Sequence, residues 1–195
     1  MYHIYHTTAL VLGGESRGEA DRALHLFTRD LGLIAVYAKS IRASGSKLRY
    51  ALQSFAHADI DLVRGKSGWK LTSARSRDPH AHLWKSERKR RALATHARLL
   101  RRLVTGEEEH SDFYDDMLAG VSFLGAVPDE HELLRDAELL LVLRTLDALG
   151  YWGDKGGWAQ LLYPMPWDRT LLAHVRTERP KLLAAVNNAL KATQL

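Results

Sequence analysis

The chain has 195 residues, 46% hydrophobic and 26% charged, with no cysteine; it can build a packed core, and disulfides, thiolate metal sites and cysteine nucleophiles are excluded. The net charge of +5 is unevenly spread: residues 1–105 carry 20 Lys and Arg against 8 Asp and Glu, a net +12, and residues 106–195 carry 8 against 15, a net −7. A basic half joined to an acidic half points to a polyanion-binding module attached to something else.

The first 76 residues read as short strands. His6 to Leu12 is β-prone and is expected to end at Gly13-Gly14. Arg22 to Thr28 sets Leu24 and Leu26 opposite His25 and Phe27, a period of two. Arg29 to Gly32 reads as a tight turn and Leu33 to Ala38 as a third strand. Phe55 to Arg64 follows, with Ala56, Ala58, Ile60 and Leu62 on one face and His57, Asp59 and Asp61 on the other. Gly65 to Gly68 is a hairpin turn, and Trp69 to Ala74 returns as a fifth strand. Five short strands suit a small closed structure that leaves no sheet edge, either an OB-type or an SH3-like barrel.

Pro79 marks a switch to the helical period, so the expected domains are residues 1–78 and 79–195. Leu93, Ala97, Leu100 and Val104 form one stripe of a helix that closes at Thr105-Gly106. Ser111 suits the cap of a second helix, with Asp112, Asp115 and Asp116 in its first turns. A third runs from Glu132 to Leu149 and stops at Gly150; it is apolar nearly all round at its centre and belongs in the middle of a bundle. Residues 151–167 read as loop. A short helix is expected at Thr170 to Val175, and a last one after Thr177, with Pro180 in its first turn and Leu183, Val186 and Leu190 buried. The longest apolar run, Leu139 to Leu143, is too short to span a bilayer. Residues 1–6 lack the basic end and apolar run of a secretory signal. A cytoplasmic protein is expected, away from any membrane.

Lys39, Arg42, Lys47 and Arg49 place four cations within eleven residues, spaced by Ser and Gly that permit close approach to a phosphate chain. Arg64, Lys66 and Lys70 flank the turn between strands four and five, a loop by which OB barrels bind oligonucleotides. Trp69 beside them is either a base-stacking platform or a core residue. Arg88-Lys89-Arg90-Arg91 is the densest run; consecutive helical residues spread round the helix, so only two, Arg88 and Arg91, are taken as DNA candidates. No catalytic, metal or cofactor constellation stands out. Glu107 to Glu109 with Asp112, Asp115 and Asp116 could suggest a two-metal nuclease, but acids at a helix start explain them more simply. His80-x-His82 lacks a third spaced ligand, and no phosphate-binding G-x-x-x-x-G-K-[ST] loop occurs.

In the β region the stretch Thr7 to Leu12 leads to Gly18-Glu19-Ala20-Asp21-Arg22, Leu26-Phe27-Thr28 and Gly32-Leu33. Ala38-Lys39, Arg42, Ser46, Leu48, Arg49, Ala51-Leu52-Gln53 and Phe55 follow, then Leu71 to Ala74. This order of segments resembles the amino-terminal domain of the RecO family, and Leu146 to Tyr151 resembles the helix end of its second domain. The resemblance implies an α+β protein, an OB-fold followed by a helical domain. It implies a non-enzymatic DNA repair and recombination protein that binds single- and double-stranded DNA, anneals strands and helps load a recombinase. Implied partners are a RecR-like mediator and the tail of single-stranded DNA-binding protein, for which the helical domain offers a groove. The four-cysteine zinc site of many members has no counterpart in Gly150 to Gly157. Ser40 and Ser54 stand where the family usually has glycine and proline. An RNA-binding or ribosome-associated barrel, a nuclease and a pure scaffold are the alternatives that charge and spacing leave open.

Overall fold

The computed structural model describes residues 3–41, 46, 48–78, 80, 83, 85–153 and 156–193. By packing, the chain divides into two units: residues 1–81 with 104–114, and residues 82–103 with 115–195.

The first unit is a closed barrel of β1 (Ile4–Arg17), β2 (Asp21–Thr28), β3 (Gly32–Ala38), β4 (His57–Gly65) and β5 (Gly68–Asp78), with the short helix α1 (Leu48–Ala51) between β3 and β4. The strand order is β1-β2-β3-β5-β4, closing back on β1. Every pairing is antiparallel except β3 with β5. That parallel closure, which strand periodicity cannot reveal, makes the barrel OB-type.

β1 does not end at Gly13-Gly14 as its sequence suggested. Val11 pairs with Leu26 and Gly13 with His25, so Leu12 is an extra residue, and the strand bends through this bulge and continues to Arg17. The bend lets one strand serve two neighbours: Ile4 to Leu10 pair with β4, and Ala9 to Arg17 with β2. The glycines permit the bulge. Gly13 sits at φ +120°, and a Cβ on Gly14 would lie 2.3 Å from the Ala23 carbonyl oxygen. Inside, alternate residues of the five strands (Ala9 and Val11, Leu24 and Leu26, Ile34 and Val36, Ala58, Ile60 and Leu62, Trp69) meet Ile41 and Leu52 in one core. Segment 104–114 completes the unit from outside: the Phe27 ring lies 5.2 Å from Phe113 and 5.6 Å from Tyr114. This contact buries an outward-facing residue of β2 completely.

The second unit is built on α2 (Glu87–Leu103), most of α3 (Ser111–Ala126), α4 (His131–Ala148), a 3-10 turn (Gly156–Leu161) and α5 (Arg169–Ala192). α4 is central, with buried side chains all round. Its buried polar groups each find partners. The Asp136 carboxylate, fully enclosed, accepts from Arg176 (3.0 Å) and Arg179 (2.8 Å) on α5. Arg144, 2% exposed, donates to Asp116 (2.7 Å) and to the carbonyls of Leu161 (2.8 Å) and Met165 (2.7 Å). Its guanidinium also stands 4.5 Å from the Trp167 ring centre. One cation thereby fastens α3 and the irregular segment 161–167 to α4.

α5 corrects the two-helix expectation for the end of the chain. It runs unbroken through Pro180, although that residue has no N–H to give the preceding turn. Arg176 and Arg179, in the turn that precedes the proline, both grip Asp136, which holds the helix against α4 there. Continuity also shifts the apolar stripe. Leu182 and Val186 are buried, whereas Leu183 is 38% exposed and Leu190 partly covered. No helix among the described residues is long and apolar enough to cross a membrane.

His96 on α2 is buried with its Nδ1 unpartnered, its Nε2 lying 3.2 Å from the Thr145 hydroxyl. Burial drives its pKa from 6.5 down to about 3. The unfolded chain therefore takes up this proton first. The stability His96 permits is intact above about pH 6.5 and falls as pH drops toward 3, by up to about 1.4 kcal/mol per pH unit. Thermal melts between pH 7 and 4 should show His96→Leu losing less stability than the wild type; equal losses would remove His96 as the cause.

Candidate nucleic-acid interface

The outer wall of the barrel is set by the same alternation that fills the core. On β3, Ile34, Val36 and Ala38 point inward, so Ala35 and Tyr37 point outward, Tyr37 with 40% of its surface exposed. Tyr37 pairs with Ala23 on β2 and with Lys70 on β5, which puts an aromatic ring and an ammonium in one cross-strand row. Lys39, just past the end of β3, and Lys66, in the β4–β5 turn, are exposed, as are Arg49 and Tyr50 on α1, Tyr50 at 72%. Among the described residues, no carboxylate lies within ion-pair distance of Lys39, Arg49, Lys66 or Lys70.

Asp21, at the start of β2, organises this edge. It accepts the Ser40 backbone N–H at 2.7 Å and the Tyr37 hydroxyl. The Ser40 bond, and next the Tyr37 bond, hold the Asp21 carboxyl below its ordinary value, and bonding to that carboxylate raises the Tyr37 hydroxyl. Ser40, at φ 55°, occupies the left-handed region where the turn out of β3 begins.

Other candidates fare differently. Trp69 is 5% exposed, part of the barrel core, edge-on to Tyr5 at 4.9 Å, with its indole N–H donated to Glu107 at 3.1 Å. Of its two readings the core one stands, because a base cannot reach a face already covered. Arg64 lies over the Trp69 ring at 5.1 Å and is ion-paired with Glu107, so this chain already supplies its counter-charge. Arg42 and Lys47 lie outside the described residues. Arg88 and Arg91 belong to the second unit; Arg88 lies 3.9 Å from Asp129, and Arg91 pairs with Glu87 at 2.6 Å, both pairs exposed. Lys89 between them is buried, its ammonium donating to the carbonyls of Gly125 (2.6 Å) and Val127 (2.5 Å) at the end of α3. Burial lowers its pKa; there it neutralises the negative helix end.

The nuclease alternative draws on acids that are engaged elsewhere in part: Asp116 is buried against Arg144 and accepts from the Trp167 indole at 2.8 Å. Tyr37 and Tyr50 went unnoticed in the sequence. The period of two in β3 could have marked Tyr37, since Ile34, Val36 and Ala38 claim the inner face.

A five-stranded OB-type barrel followed by helices, basic on its outer wall, defines an α+β protein of the OB-barrel class. The family model described as recombination protein O N terminal matches residues 1–79. The chain is 32% identical over 148 residues to "DNA repair protein RecO" of Heliobacterium modesticaldum, across 76% of this chain and 52% of that protein. Proteins of the same name from Desulfitobacterium hafniense and Dehalococcoides mccartyi are 38% identical over 81 residues and 45% identical over 65, covering 42% and 33% of this chain and 30% and 26% of their own lengths. Over residues 1–79 the chain is similar to the amino-terminal domain of the RecO family, and its matches span about half or less of the length of these curated relatives.

Proposed function

We propose that this protein acts in recombinational DNA repair as a non-enzymatic mediator: the barrel holds DNA strands by their phosphates, promotes their annealing and aids recombinase loading. The carrying observation is the basic surface of the barrel unit: among the described residues no carboxylate lies within ion-pair distance of the exposed Lys39, Arg49, Lys66 or Lys70, and the rings of Tyr37 and Tyr50 are exposed as well. Cations release counterions from DNA of any sequence, and aromatic faces stack on any base. Two strands held on one positive surface repel each other less, which favours pairing with no covalent step.

Four phosphates contacted on a single strand give a log–log salt slope of roughly −2.8, so affinity falls about 50-fold between 50 and 200 mM salt. Fluorescence anisotropy with labelled oligonucleotides checks this, and complementary-strand annealing is followed in the same solutions. A flat salt response rejects the mechanism. RNA competing better than DNA favours the ribosome-associated alternative.

The two aromatic positions separate stacking from structure. Tyr37→Ala should weaken single-strand binding by about 1–3 kcal/mol with little loss of stability. Trp69→Ala should instead cost about 3–5 kcal/mol of folding stability. If Tyr37→Ala binds DNA like the wild type, stacking at this ring is rejected.

The second unit carries the partner side of the proposal. A groove of about 700 Å³ between α2, α4 and α5 is floored by Leu139, Val142, Leu183 and Val186 and edged by exposed Arg91, Arg98, Arg102 and Arg135. Apolar floor and cationic rim suit an acidic peptide with an apolar tip, as the tail of single-stranded DNA-binding protein would present. Leu183→Asp should weaken capture of such a peptide at least about tenfold, a loss readable by calorimetry; undiminished binding places the peptide elsewhere. A RecR-like partner is proposed from the resemblance alone.

A further inference from the structure

We infer that Arg22 and Arg49, with the Ser16 hydroxyl, form a cleft that seats a single phosphate of a nucleic-acid chain at the mouth of the barrel. The inference rests on the DNA-binding reading above and adds a defined anchor to it.

Arg22 continues the inward parity of Leu24 and Leu26 on β2, so its guanidinium stands at the barrel mouth and not on the outer wall with Tyr37. It pairs across the sheet with Ser16 on β1 and Ala38 on β3. Its Nη2 donates to the Gly14 carbonyl at 3.2 Å, in the stretch of β1 that follows the bulge. Opposite stands Arg49 on α1, and Ile41, 2% exposed, lines the cleft with them. The space is about 350 Å³ and its lining is mainly polar, unlike the apolar groove of the second unit.

Arg22 is half-buried, and among the described residues neither arginine has a carboxylate within ion-pair distance. A partly desolvated cation without a counter-charge is unfavourable, and an anion that enters removes that cost. Guanidinium forks match phosphate oxygens in a planar, two-pronged way that an ammonium does not. Two forks and a hydroxyl converging on one cleft suit a tetrahedral anion with several acceptors. The exposed lysines of the outer wall supply attraction without such geometry. The cleft therefore sets where along its length a strand is pinned, and the lysines set how strongly it is attracted.

The experiment measures binding of labelled oligo-dT to the full chain by anisotropy across a salt series, with 5′-phosphorylated and 5′-hydroxyl oligonucleotides. The variants are Arg22→Gln, Arg49→Gln, the two combined, Arg22→Lys, and Lys66→Gln/Lys70→Gln; thermal melts verify that each is folded. Each arginine variant should lose about tenfold in affinity and about 0.7 of the salt slope. The combined variant should lose little more than either alone, because both arginines hold the same phosphate. Arg22→Lys should keep the slope and lose affinity. Dependence on the 5′-phosphate identifies a terminal group as occupant, and independence an internal phosphodiester. Additive losses with about 1.4 of slope removed overturn the shared site. Wild-type binding by both glutamine variants, with loss in the Lys66/Lys70 variant, rejects the cleft and leaves the DNA reading standing. A wild type that does not bind, or binds without salt dependence, rejects the DNA reading itself.

Discussion

Alanine at Lys39, Arg49, Lys66 and Lys70 together should lower affinity for single-stranded DNA by roughly three orders of magnitude at 50 mM salt and flatten the log–log salt slope by about 2.8. The loss follows from counterion release: each phosphate neutralised returns about 0.7 of a cation to solution, and release drives binding most strongly in dilute salt. These four side chains are exposed and lie outside the barrel core, so the variant should melt close to the wild type. Arg64→Ala is the informative contrast. Arg64 already faces Glu107 across the Trp69 ring, so its removal should change DNA affinity far less than removal of any one of the four. Anisotropy titrations at three or more salt concentrations separate the outcomes. Should Arg64→Ala prove the more damaging change, the wall around Tyr37 is the wrong surface.

Arg144→Met should destabilise the second unit by about 3–5 kcal/mol, because it leaves the Asp116 carboxylate buried without its cation. The same change strips donors from the Leu161 and Met165 carbonyls and frees the Trp167 ring. Asp116→Ala should cost a similar amount from the other side. Replacing both partners with apolar residues, Arg144→Met with Asp116→Leu, should recover part of the loss, because no unpaired charge remains. Urea titrations read all three, and the double variant should melt above either single one. If Arg144→Met shifts the midpoint by less than Arg91→Ala, a change at an exposed pair, the buried ion pair is not what holds segment 161–167 in place.

Most of the architecture was legible along the chain. The alternation Ala56, Ala58, Ile60, Leu62 marks β4 and its inner face, and all four are buried in the barrel. The apolar centre of α4 signals a helix enclosed on every side, which it is. The concentration of Lys and Arg before residue 106 is a property of composition alone and survives any fold. Local signals of this kind persist because side-chain period and charge count are decided by neighbours in sequence.

The site was less legible, because a binding surface depends on which residues lose their partners once distant segments meet. Trp69 and Arg64 sit beside the β4–β5 turn like ordinary surface candidates until Glu107, some forty residues on, accepts from both. Lys89 counts as one more cation of a basic run, yet it is buried against the end of α3.

By itself the amino-acid order determined five strands, then helices, an inner face for most strands and a strongly basic front half, since each follows from steric period or charge within a short window. Tertiary structure alone decided the parallel β3–β5 closure, the continuation of β1 past its glycines, the unbroken α5 and the division of the cations into paired and unpaired. Those outcomes turn on contacts between residues tens of positions apart, where the field at a side chain is set by the groups that folding brings to within a few ångströms of it.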